Sequence, residues 1–458
     1  MLKRPLGAAL ALCLSVSCRE STPTHIPPRD TGPPTASAGP ALTPVRGDSA
    51  VDLQIRLAQA RCTANPGQGR RWLELAQAFI RKARETADPG FYLQAEDAVA
   101  RALRIDPADL NAVQMQGLIM MQDHRFREVR ELAQRSLARN SQAAILHGLL
   151  GDAEMEVGHY TQAEESYQRM LDLRPNLPSY SRASWMRWLL GDAEGAIDLA
   201  RRAVEAGDPR VPEEHAWTMV QLANLYFATG DVQHALENCN AALITFARYP
   251  AALATRGLIR RARGDLTGAV EDLAIAVEGN GSTEHLMYLG EAQEAAGRNA
   301  DAQATYTRLE RIGRRSDPRT LALFYANHDR EHDAAVSLAR RELDNRPDDV
   351  YTQDVLAWAL YRAGNLPEAA RYTDLSRRIH TADARFAYHA GMIALASGQR
   401  EAAATLLRDA LRYNPHFDER LAEACRQTLA GLPGGLGDAG AAPAPRADAG
   451  AGAAPRRP

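Results

Sequence analysis

From about residue 70 to residue 415 the apolar positions of this chain fall into pairs of helical stripes, and small residues punctuate them at a fixed interval. An alanine recurs at Ala95, Ala163, Ala196, Ala235, Ala269, Ala302, Ala335, Ala369 and Ala403. The successive gaps are 68, 33, 39, 34, 33, 33, 34 and 34 residues, and Val129 fills the place that the first gap skips. A glycine stands five positions before the alanine at Gly90, Gly158, Gly191, Gly230, Gly264, Gly297, Gly364 and Gly398. A small residue stands twelve positions before it at Gly117, Gly151, Ser184, Ala223, Gly257, Gly290, Ala357 and Gly391. Three positions in phase at one period define a repeat of about 34 residues.

Each repeat predicts a helix, a tight turn and a second helix. The turn glycine supplies the left-handed residue that ends the first helix without steric cost. The other two small positions sit on the facing helices of one hairpin and let the backbones approach. Tyr167, Leu222, Tyr226, Leu289 and Tyr306 fill the space around them. Pro107, Pro175, Pro347 and Pro415 stop second helices, because proline cannot continue one. Four departures are visible. The first unit has about seven extra residues near Arg84–Phe91, the fourth is one residue short around Trp185 and Trp188, an insertion follows near Asp208–Glu214, and Arg330 occupies the turn-glycine place of the eighth unit. Residues 51–62 and 418–431 read as short capping helices, the second with Leu421, Cys425 and Leu429 on one face.

Trp72, Leu75, Ala76 and Phe79 resemble the first-helix signature of tetratricopeptide repeats, and Ala163, Tyr167 and Pro175 the second-helix signature. The resemblance covers about residues 70–415, some ten units. It implies an all-α fold: an α-α superhelical solenoid of about ten hairpins over residues 51–432, with capping helices and flanking disordered segments. It also implies that other proteins or peptide segments bind along the concave groove.

The two ends add a location. Lys3 and Arg4, the apolar run Leu6–Val16 and the small residues Ser15 and Ser17 read as a signal peptide over residues 1–17. The run is too short to span a bilayer as a helix. Cys18 follows directly, so the segment resembles a bacterial lipoprotein signal with Cys18 as the lipid-bearing residue, although Leu14 stands one step before the place that family prefers. The alternative is a simple secretory signal with Cys18 incidental to it. Either predicts export, to the periplasm or the outer membrane. Residues 18–50, with Pro27-Pro28 and Pro33-Pro34, predict a disordered tether, and residues 433–458 an Ala/Gly/Pro tail.

Charge and cysteine usage narrow the functional classes. The formal net charge is −3, so the basic excess of a nucleic-acid binder is missing and no nucleic-acid partner is expected. Beyond Cys13 and Cys18 stand Cys62, Cys239 and Cys425, an odd set with no C-x-x-C pair, which predicts no disulfide framework, no metal site and no cofactor. His328-Asp329-Arg330-Glu331-His332 reads H-x-x-E-H, the pattern of inverted zincin proteases. That chemistry needs both histidines on one continuous helix, whereas the repeat register puts them at a turn, so a solvated loop is expected and no catalytic residue is assigned. A zinc hydrolase using His328 and His332 and a self-associating structural lipoprotein remain the rivals of a binding scaffold.

Groove-facing positions follow from phase, at steps outside the packing positions. They include Trp217, Asn224, Phe227, Glu291 and Glu294, and a second group of Asp354, Trp358, Tyr361, Arg362 and Tyr388. The second group joins aromatic rings to charges, the composition of interface hot spots. Glu291 and Glu294 predict an acidic stretch.

Overall fold

A computed structural model describes residues 39–86, 90–278 and 281–432. The signal peptide, Cys18, most of the tether and the tail lie outside these residues. Among the described residues there are twenty-two α-helices, one short 3-10 helix and no strand.

The 3-10 helix (Pro40–Leu42) and α1 (Ala50–Ala64) precede ten hairpins. The first five pair α2 (Gly69–Thr86) with α3 (Gly90–Ile105), α4 (Leu110–Gln122) with α5 (Phe126–Leu137), α6 (Ala144–Glu156) with α7 (Tyr160–Leu173), α8 (Leu177–Leu189) with α9 (Ala193–Glu205), and α10 (Pro212–Ala228) with α11 (Val232–Thr245). The second five pair α12 (Pro250–Ala262) with α13 (Leu266–Ala276), α14 (Thr283–Ala295) with α15 (Asn299–Ser316), α16 (Pro318–Asn327) with α17 (His332–Asn345), α18 (Val350–Arg362) with α19 (Leu366–Ser376), and α20 (Ala384–Ala396) with α21 (Arg400–Tyr413). The last helix, α22 (Glu419–Ala430), covers the end of the stack through Leu421, Cys425 and Leu429, all buried.

The phased residues act as their spacing predicts. Gly191, Gly230, Gly264 and Gly364 have φ near +80°, and the next residue donates its N–H to the carbonyl five residues back, closing the first helix. That next residue is Asp192, Asp231, Asp265 or Asn365, whose side chain caps the second helix. One Gly-Asx step therefore ends one helix and starts the other. The repeat alanines, fully or almost fully buried, lie where the hairpin helices meet. At Gly151 an added Cβ would fall 2.5 Å from the Tyr167 ring, so the missing side chain is the space that ring occupies.

Three details differ from the sequence reading. Gly90 is the first residue of α3 and not a turn residue. In the eighth unit Asp329 takes the left-handed place (φ 55°) and Arg330 makes the five-back bond to Tyr325, so this turn is one residue longer. In the second unit His124 (φ 56°) stands where others have glycine. Residues 39–49, expected to belong to the disordered tether, are instead ordered. They pack on the solenoid, with Ala41 fully buried, its N–H on Asp97, and Gln59 donating to the carbonyls of Ala41 and Thr43. Ala41 is the apolar anchor that composition alone hides.

Candidate binding lumen

A stack of helical hairpins winds into a superhelix, and here the winding is tight enough for one turn to touch the next. The turn of the third hairpin meets the loop after the eighth, the fourth meets the loop after the ninth, and the fifth meets the loop after the tenth. The Tyr160 hydroxyl accepts the Val350 N–H at 3.0 Å. Thr381 Oγ1 donates to the Leu189 carbonyl at 2.6 Å, and Asn414 Nδ2 to the Phe227 carbonyl at 2.8 Å. Turn glycines permit the approach: a Cβ on Gly191 would fall 2.6 Å from the His380 carbonyl oxygen.

Ion pairs reinforce this seam. Arg346 pairs with Glu156 at 2.5 Å and Glu342 at 3.0 Å, and its guanidinium lies over the Phe126 ring. Arg319 pairs with Asp349 at 3.2 Å. Arg261 on α12 pairs with Glu291 at 2.8 Å and with Asp418, the cap of α22, at 3.3 Å. Burial pushes the Glu156 and Glu342 carboxyls up, while Arg346 draws them down. Burial also pushes the Glu291 carboxyl up, but His328 and the Arg261 guanidinium outweigh it and hold it at about 2. The His328 Nε2 stands 3.5 Å from Glu291 Oε1.

The seam narrows the expected open groove into a partly open lumen of about 500 Å³. Its wall comes mainly from first helices. Trp217, Glu284, Tyr351 and Arg385 stand eighteen residues before their repeat alanines. Gln221 and Tyr288 stand fourteen before, and Trp185, Asn224 and Glu291 eleven before. These steps of four and three keep all of them on one helix face. Trp185 stacks on Tyr351 with ring centroids 6.2 Å apart.

The two groups of sequence-predicted positions separate here. Trp217, Asn224, Phe227 and Glu291 line the lumen, and Asn224 accepts a hydrogen bond from Thr255. Glu294 lies at its mouth beside His328, Asp418 and Glu419, with its side chain 54% exposed. Asp354, Trp358, Tyr361, Arg362 and Tyr388 do not line it. Asp354 is buried against His389 Nδ1 at 2.9 Å. Trp358 is 2% exposed, donates to Asn327 Oδ1 at 3.0 Å and stacks on His389. Tyr361 stacks on Trp358, Arg362 pairs with Asp329 at 2.6 Å, and Tyr388 packs on Phe417. This group is the packing between hairpins eight to ten and α22, so the reading of Asp354, Trp358 and Tyr388 as groove contacts is corrected by their burial.

Sequence reasoning missed Trp185, Glu284, Tyr288, Tyr351 and Arg385. For Glu284, Tyr351 and Arg385 the column eighteen before the alanine was the available signal, since it already held Trp217, and for Trp185 the column eleven before, which held Asn224 and Glu291. The H-x-x-E-H segment does not assemble as the protease pattern requires. His328 follows the end of α16 and packs on Phe324 and Tyr306, whereas His332 opens α17 and bonds Asp329. Glu331 between them is left-handed, so the two histidines share no helix face. Among the described residues no group of three His, Cys, Asp or Glu side chains is placed to hold a metal ion.

The repeat period, the hairpin geometry and the superhelix define a tetratricopeptide-type α-solenoid. Residues 115–178 and 255–317 match the tetratricopeptide repeat family. Among solved structures, the chain is similar to the human IFIT1 dimer with PPP-AAAA, at 15% identity and a TM-score of 0.47, covering 72% of this chain and 77% of that one. It is also similar to yeast Tom70, at 12% identity and a TM-score of 0.39, covering 82% and 96%. No curated protein matches the sequence.

Proposed function

We propose that this protein is a non-catalytic scaffold of the bacterial cell envelope that holds a segment of a partner protein in its superhelical lumen. The observation that carries the reading is the lumen wall. Trp185, Trp217, Phe227 and Tyr288 are only half-buried there, turned toward a space large enough for a few side chains. Rings left accessible in a concave site offer large contact area at low entropic cost. The envelope location rests on the signal-like residues 1–17, and attachment to a membrane rests on Cys18 as a lipid carrier.

A photo-crosslinking side chain at Asn224 tests the lumen. In intact cells it yields a discrete protein adduct, whereas the same group at Glu165, exposed on the outer face, yields none. Adducts from Glu165 alone would overturn the assignment. For the location, fatty-acid labelling of the wild-type chain and its absence in Cys18→Ala is the expected result; an unlabelled wild type recovered only from the soluble periplasm would exclude the anchor.

A further inference from the structure

Seven carboxylates face five guanidinium groups along the lumen wall among the described residues. Four of those arginines are already engaged. Arg182 grips Asp152 through two bonds of 2.7 and 2.8 Å, and Arg261, Arg319 and Arg346 hold the partners described above. Arg385 lies 3.8 Å from Asp383. Most of the positive charge of the wall is thus matched inside the protein at hydrogen-bond distance, while Arg385 and part of the negative charge are not.

The surplus has an address. Glu284 is bonded only by the Tyr288 hydroxyl, at 2.6 Å. Glu419, 43% exposed, stands 3.7 Å from Arg261, beyond hydrogen-bond reach. Glu294 accepts only from Tyr306. Glu291 is an independent pointer. Its side chain is 10% exposed, it lines both the lumen and its mouth, and its Oε1 has no hydrogen-bond partner, facing the His328 ring at 3.5 Å. A buried carboxylate oxygen without a donor costs free energy until a donor arrives. The guanidinium groups at the mouth are Arg261, already paired with Glu291 and Asp418, and Arg420, spent on the Asn327 carbonyl.

Building on the lumen reading above, we propose that the partner segment is basic, carrying Lys or Arg side chains that enter past Glu294 and Glu419 and reach Glu284 and Glu291. The half-buried rings suit the same guest. A cation over an aromatic face is attracted to it, and the aliphatic stem of Lys or Arg covers apolar surface while its head stays polar. An acidic segment would meet Glu294, Glu419 and Glu284, none of them held by a guanidinium at hydrogen-bond distance.

Three acetylated, amidated hexapeptides of one scaffold, alternating Leu with Arg, Gln or Glu, test the charge by lumen tryptophan fluorescence. The Arg peptide binds at least about ten-fold more tightly than the Gln peptide, and the gap narrows as salt rises from about 50 mM to about 500 mM. In Glu284→Gln/Glu419→Gln the Arg peptide weakens at least about five-fold while the Gln peptide is unchanged; Glu165→Gln changes neither. Circular dichroism and the melting point confirm that the double variant is folded. Equal or tighter binding of the Glu peptide in the lumen overturns the charge assignment and leaves the lumen reading standing. Crosslinking of the cellular partner away from Asn224 overturns both.

Discussion

Replacing Trp358 by alanine separates a packing role from a binding role. The ring lies between α16 and α20, stacked on His389 with centroids 4.3 Å apart at 11°, and its Nε1 donates to Asn327. Truncation removes a side chain that is 2% exposed and leaves a void between rigid neighbours. Large aromatic truncations of this kind cost about 3–5 kcal/mol. Part of that is the Asn327 oxygen left without its donor, about 1–3 kcal/mol. Trp358→Phe retains a ring to stack on His389 while losing the donor and part of the ring volume, so its cost falls below that of alanine. A repeat array need not unfold in one step. The assay is therefore urea unfolding by circular dichroism together with hydrogen exchange, with the loss of protection expected in α16 to α22. Peptide affinity at the lumen stays within about two-fold, because Trp358 does not face it. An alanine variant as stable as wild type, within about 1 kcal/mol, yet unable to bind a partner, would refute the burial argument.

Loosening the seam has its own signature: Tyr160→Phe/Thr381→Val removes two contacts between superhelical turns, and the Val350 amide should exchange faster while helix content is unchanged. His124 sets an acid limit. Burial, then the charges of Arg346 and Arg319, lower it from 6.5 to about 4, so the unfolded chain takes up a proton that the fold resists. The corresponding stability, roughly 3 kcal/mol, is complete above pH 6.5 and is lost as pH falls toward about 4. His124→Asn, which tolerates the left-handed backbone, should flatten that slope in urea titrations at pH 7 and pH 4.5. Burial pushes the thiols of Cys62, Cys239 and Cys425 up to about 11, 12 and 12, so alkylation mapped by mass spectrometry should find all three unmodified at pH 8 until denaturant is added.

What was legible in the sequence is what local chemistry determines. Gly230 beside Asp231, Gly264 beside Asp265 and the buried Ala235 and Ala269 specify a hairpin from residues a few steps apart, and the period repeats it. The inward helix face was legible too, through the column that holds Trp217 and the one that holds Asn224 and Glu291. That same column holds Trp358, and there the phase misleads. Periodicity states which side of a helix turns inward; it does not state what another superhelical turn or a cap lays over it. His389 and Phe417, which enclose Trp358 and Tyr388, come from a later hairpin and from the loop before α22. Ala41 was hidden for a related reason: one small apolar residue in a Pro/Thr-rich stretch has no periodic partners to reveal it.

The seam also bears on how the gene for such an array can change. In a simple solenoid each unit touches only its neighbours, so duplication or loss of a unit lengthens or shortens the protein without breaking anything. Here Gly158, Gly191 and Gly230 each abut a loop five hairpins further on. Inserting or deleting one hairpin between them would swing every such pair out of alignment together. The molecule thereby enforces its own copy number, and drift in repeat count is confined to the segments outside that span.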